Sequence, residues 1–317
     1  MKKNIFISLL IFIQPFIRHG GDTLMAQQDP QYSQYMFNQL AINPAYAGTK
    51  DALSTSMFLR TQWTGIGIKD GAPTTETFTI HSPLRKRKIG VGFTVISDQI
   101  GPKKSIGALA SYAYKIPIRK GKLSFGLRMG VYQYTYNWYL IDYKDKLDPL
   151  TTAQTQTKTI LPSADAGIYY YTSTMYAGFS ATQLFKGHLS KDVPLYYGYN
   201  TELERHLFFT VGKAWALSDK LVFNPSCMIK SVANAPGAVD VNFSFLLDQR
   251  VWAGFSARIG YGMVFYTQFN ITEKFRLGYS YDWGFNKIGT YGGGSHEIML
   301  GYDFNLRKSK MFSPRYF

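Results

Sequence analysis

The chain has 317 residues, of which 16% are aromatic and only 17% charged, yet its formal net charge is +15. About a quarter charged is usual for a soluble protein, and outside the N-terminus no apolar run reaches the roughly 20 residues a transmembrane helix needs. The single cysteine, Cys227, excludes an internal disulfide framework and a thiolate zinc site.

In chain order, Lys2 and Lys3 form a basic start and Ile5 to Ile13 an apolar stretch of signal-peptide length, too short to span a bilayer. Residues 1–26 therefore read as a signal peptide cleaved after Ala26. Its removal takes three cations and one anion and leaves +13. In an exported chain that balance points to an anionic lipid or polysaccharide surface, or an acidic partner, and not to nucleic acid.

The next stretch, "QDPQYSQYMFNQLAINPAYAGT" (28–49), is aromatic and almost uncharged. Asp29 can cap a helix with Pro30 in its first position, where no amide hydrogen is needed. Tyr32, Tyr35, Met36 and Leu40 then share one face, and Asn43-Pro44 ends the helix. Residues 27–53 are thus expected to form a short amphipathic periplasmic helix, either plugging or lining a barrel mouth or lying on the membrane interface.

Beyond it the period falls to two. Leu123, Phe125, Leu127, Met129 and Val131 alternate with Ser124, Gly126, Arg128 and Gly130, and the same pattern runs through 275–282 and 297–306. Fourteen strands are expected, near 54–64, 73–82, 89–98, 105–116, 122–138, 161–172, 175–185, 205–216, 220–232, 239–247, 251–259, 263–271, 275–284 and 296–306. Links after even strands are short, such as "SDK" and "DQR", whereas several after odd strands are long and polar. That parity and strand length fit an all-β fold: a transmembrane antiparallel β-barrel of about 14 strands over 54–306, closed because lipid cannot satisfy an open sheet edge. A basic tail (307–317) follows, and both ends face the periplasm. Trp63, Trp138, Trp252 and Trp283 lie near strand ends, where an aromatic girdle belongs. Gly301, Phe304 and Leu306 have the spacing of a barrel-assembly signal.

The bilayer forces charge inward, since Arg or Lys on the lipid face costs roughly 2–4 kcal/mol at the midplane. Arg60, Gln62, Arg128, Lys230, Asp240, Arg258, Arg276, Asp282 and Glu297 are the expected lumen groups. They either pair as a structural network, or hold a partner segment or tune a conduit. The basic turns 85–88 and 119–122 would face the periplasm as a solvated rim or a dock for an acidic partner. Catalytic patterns are poor. His296-Glu297 lacks the second histidine of a zinc-protease helix, and His188 and Ser190, spaced as in a lipid hydrolase, sit in a polar loop. No metal cluster emerges among the five histidines.

The wording of the opening stretch, through Asp29, Pro30, Tyr32, Asn38, Asn43, Pro44 and Gly48, resembles the PorP/SprF family of type IX secretion system outer-membrane proteins of Bacteroidetes. The resemblance continues through "NPSCMIK" (224–230), "DVNFSF" (240–245), "WAGFSAR" (252–258), "LGYSYDW" (277–283) and "GSHEIMLGYDF" (294–304). It implies a non-enzymatic outer-membrane barrel without cofactor. Its role would be to support secretion or surface anchoring of large surface proteins, gliding adhesins among them. Its implied partners are outer-membrane lipid, other outer-membrane and periplasmic parts of the machine, including a peptidoglycan-binding component, and the secreted protein. A diffusion porin and a lipid-hydrolysing barrel are the competing functions.

Overall fold

A computed structural model describes residues 30–66, 71–84, 88–140, 156–185, 187, 203–232 and 235–304. Fifteen strands dominate: β1 (Leu53–Thr61), β2 (Thr74–Pro83), β3 (Ile89–Ile100), β4 (Lys103–Ile118), β5 (Gly121–Asn137), β6 (Gln156–Tyr171), β7 (Met175–Thr182), β8 (His206–Lys213), β9 (Trp215–Ser218), β10 (Leu221–Val232), β11 (Ala235–Leu247), β12 (Val251–Arg258), β13 (Gly262–Asn270), β14 (Phe275–Gly284) and β15 (Ser295–Phe304). Each pairs antiparallel with its neighbours, and β15 returns to β1 in a register running from Leu53↔Phe304 to Thr61↔His296. The sheet is a closed barrel. β8 and β9 both pair with β10, on either side of Ala214, so they form one interrupted stave and the barrel has fourteen.

Alternation explains the wall. Leu127 and Met129 are about 60% exposed on the outside (59% and 61%), while Arg128 between them is 3% exposed within. No helix among the described residues is long and apolar enough to cross a membrane; the wall is made of strands whose amides pair along the ladders, β6 meeting β5 over its whole length and β7 over Ala166–Tyr171. Tight turns connect the strands at one end. Between β11 and β12, Asp248 and Gln249 both have positive φ (48 and 55), as a type I′ hairpin turn requires. Longer links gather at the other end. There a short helix, α1 (Lys287–Gly292), is capped by the Asn286 side chain, and its backbone is stitched to the β1–β2 link by Gly65 N–H donating to Gly292 O at 2.7 Å. We call these the turn end and the loop end.

The wall is uneven. β4, β5 and β6 have 16, 17 and 16 residues, against 9 in β1 and 8 in β12. The excess lies at the loop end.

Three expectations change. The single amphipathic helix is absent: among residues 30–52 the chain makes three short turns, Tyr35–Phe37, Gln39–Ile42 and Pro44–Tyr46. They lie inside the barrel and not on its outer rim, because wall side chains take backbone groups that a helix would have paired internally. Tyr32, Tyr35 and Met36 do share a cluster with Phe208, Met228 and Tyr266, but Leu40 belongs to another with Tyr46 and Tyr169. Trp252 is no girdle residue. It faces inward, 4% exposed, and meets the Phe37 ring edge-on at 6.0 Å; only Trp283 of the four expected tryptophans stands out from the wall, at 54%. The expected strand 205–216 breaks at Ala214.

Candidate functional site

The lumen holds the site, and residues 30–48 run through most of its length. Two glycines let the segment's backbone touch the wall: a Cβ at Gly90 would overlap the Ala47 carbonyl, and one at Gly126 the Ala45 amide. At the turn end Gly48, with φ of 64, presents its amide to His81 Nδ1 at 3.1 Å, while Lys115 Nζ donates to its carbonyl.

Halfway along, Arg128 Nη1 donates to the carbonyls of Leu40 and Ala41 at 3.0 and 2.9 Å. Its Nε donates to Asp165 at 2.5 Å, and Asp165 also accepts the Gln183 amide. Ser180 Oγ donates to Ile42 O at 2.9 Å. Asn43 faces both ways: its amide nitrogen donates to Ile168 O and Phe179 O in the wall, and its oxygen accepts Ala45 N–H to start the last turn. Pro44 opens that turn, where its missing N–H costs nothing.

Towards the loop end five charged side chains converge. Glu297 accepts the amides of Ser33 and Gln34, each at 2.9 Å. Asp282 takes Arg60 Nη2 at 2.7 Å and the Ser33 hydroxyl, which also accepts from Arg60 Nη1. Arg258 holds Asp240 through Nε at 3.1 Å, reaches Asp282 at 3.4 Å, and donates to Tyr32 O at 3.1 Å. Two guanidinium groups thus face three carboxylates, all 5% exposed or less. The surplus negative charge is met by the two segment amides. Since β1, β14 and β15 carry Arg60, Asp282 and Glu297, the segment is bound at the seam where the last strand meets the first.

The other expected residues lie elsewhere. Lys230 sits 5.5 Å over the Phe208 ring beside a cavity of about 50 Å³, which Pro30, Gln31 and Tyr32 line with Arg128, Asp165, Asp240 and Arg258. That volume suits a few waters. Arg276 pairs with Asp303 at 3.1 Å, apart from the cluster. Gln62 lies past β1, its amide on Pro73 O. Tyr32 donates to or accepts from Thr77 Oγ1 at 3.0 Å. Asn38 is buried, and neither atom of its side-chain amide has a partner among the described residues. Gly301 packs near the Arg276 guanidinium and Phe304 points outward. Asp29, Leu306, the 85–87 turn, the 307–317 tail and the His188–Ser190 pair lie outside the described residues.

Sequence reasoning missed Ser33, His81, Lys115 and Asp165. Lys115 was legible, between Tyr114 and Ile116 in an expected strand. Asp165 was harder, because its outward neighbours, Ala164 and Ala166, give little contrast. No group of three or more possible metal ligands occurs among the described residues.

The family described as type IX secretion system membrane protein PorP/SprF matches residues 24–302. No curated protein matches the chain. Among solved structures, the CymD monoaromatic hydrocarbon channel is 12% identical with a TM-score of 0.51, covering 88% of this chain and 95% of its own. A Pseudomonas aeruginosa FadL homologue is 12% identical with a TM-score of 0.48, covering 87% and 95%. The Pseudomonas putida toluene transporter TodX is 10% identical with a TM-score of 0.49, covering 84% and 93%. At these identities the likeness concerns the outer-membrane barrel fold alone.

Proposed function

The chain belongs to the PorP/SprF family of type IX secretion system membrane proteins, and from that premise we propose that it is a plugged outer-membrane platform. It supports the secretion or surface anchoring of large surface proteins, gliding adhesins among them, and meets periplasmic machine components at its turn end. The observation that carries this reading is the filled lumen: residues 32–48 are bound to the wall by Arg60, Arg128, Arg258, Asp282 and Glu297. A diffusion channel needs that space open. A secretion component needs a rigid barrel with two addressable ends.

The basic β4–β5 turn, including the exposed Arg119 and Lys120, supports an acidic partner on the periplasmic side. Such a contact weakens steeply with salt, because exposed charges are screened beyond about 10 Å at 0.1 M. Two measurements test the proposal together. The purified barrel should be silent in planar bilayers, and cells lacking it should lose one or more large surface proteins, recovered by the wild-type gene. Solute-sized conductance with undisturbed surface proteins would instead favour the porin.

A further inference from the structure

The uneven wall leaves an unused feature on its outer face. Above the bilayer band, the register aligns Gln99 with Lys104, Lys104 with Thr135 and Thr135 with Lys158, one hydrogen-bonded row across β3, β4, β5 and β6. All four side chains share the outward parity of Ile106, Val131 and Ile160. The next outward row down is Ser97, Ile106, Gln133 and Ile160, and the one below is Val95, Ala108, Val131 and Pro162. Ile106, Val131 and Ile160 are 42%, 50% and 66% exposed, as lipid-facing residues should be. Within two rows the surface turns from aliphatic to lysine and glutamine, with Thr135 buried between the lysines and accepting from Gln133.

Neither lysine has an ion-pair partner among the described residues. They stand two strands apart, so their backbones are about 10 Å from each other, and both long side chains can reach one headgroup. The single outward carboxylate on β2–β6 among the described residues is Glu76, which registers with Ser97 and not with either lysine. A charge placed immediately above the hydrocarbon boundary meets headgroups before it meets protein.

We propose that Lys104 and Lys158, with Gln99 beside them, form a site for the phosphate of an outer-leaflet glycolipid. The lipid's acyl chains would lie along Ile106, Val131 and Ile160. The inference rests on the loop end facing the cell exterior. It does not depend on the secretion role, so it is tested apart from it.

The test uses the purified full chain in nonionic detergent, with bisphosphorylated lipid A and its dephosphorylated form as probes and retained lipid read by native mass spectrometry. Each lysine at an anionic lipid surface is worth about fivefold in binding. Lys104→Gln/Lys158→Gln should therefore bind the bisphosphorylated lipid about thirty-fold more weakly than wild type, and each single variant about fivefold. Heat-modifiable electrophoretic mobility checks that every variant is folded. Lys213→Gln, at the turn end, should change nothing. Equal retention by the double variant and wild type, or equal binding of the dephosphorylated lipid by wild type, overturns the proposal.

Discussion

Glu297 has no exposure and accepts two successive amides from a segment more than 260 positions away in sequence. Such a carboxylate is stable in the lumen only while Arg60 and those amides face it, since an uncompensated buried charge costs far more than the pair contributes. Arg60→Met should destabilise the barrel by about 3–5 kcal/mol, seen as a lower urea midpoint in lipid vesicles. The double variant Arg60→Met/Glu297→Met should recover part of that loss, because it removes the carboxylate that Arg60 faced at 3.6 Å while Asp282 keeps Arg258. If the double variant loses as much as the two single ones summed, the pair is not coupled as the geometry requires. Part of this cluster was legible: Arg60, Asp240, Arg258, Asp282 and Glu297 sit on the polar side of clear two-residue alternation. Ser33 was not, because nothing in a run of tyrosines and glutamines shows which hydroxyl will enter a charge cluster. Trp252 was misassigned even though it shares the parity of Arg258, six positions on.

Among the elements, residues 30–48 show how tertiary partners override a local pattern. Their helical spacing is real, yet Arg128, Ser180 and Asn43 take or supply backbone contacts that break the helix into turns. Gly90 and Gly126 are the wall's contribution to that path. Gly90→Val should unseat the Ala47–Gly48 stretch and cost about 1–3 kcal/mol as overpacking, while the barrel stays closed. Proteolysis of folded protein in vesicles checks this, with new cleavage within 44–52 and an intact barrel fragment. The strands themselves were read to within a few residues, except where physics removes the signal. β6 begins at Gln156 and not near residue 161 because its first turn-end-distal residues, Gln156 and Lys158, stand above the bilayer. Neither face meets hydrocarbon there, which leaves no apolar side to alternate.

For the whole molecule, closure follows from the demand that lipid touches no unpaired backbone group, and inward charge from a second demand, that lipid touches no ionic side chain. That demand writes itself as alternation, which is why the architecture was readable. What fills the barrel is not written that way, since a polar lumen tolerates water, a plug or a passing solute. Deleting residues 30–48 should convert a silent barrel into a conducting one in planar bilayers, because a fourteen-stave wall encloses a lumen wide enough for solute. Arg258→Ala should give a lesser effect, with brief openings as the Tyr32 end loosens. The account rests on the segment being an integral part of the lumen, and hydrogen–deuterium exchange of the full chain in micelles tests this most directly. The amides of Ser33, Gln34 and residues 41–43 and 45–48 should exchange as slowly as those of β1 and β15; exchange within seconds, with the strands still protected, would contradict it.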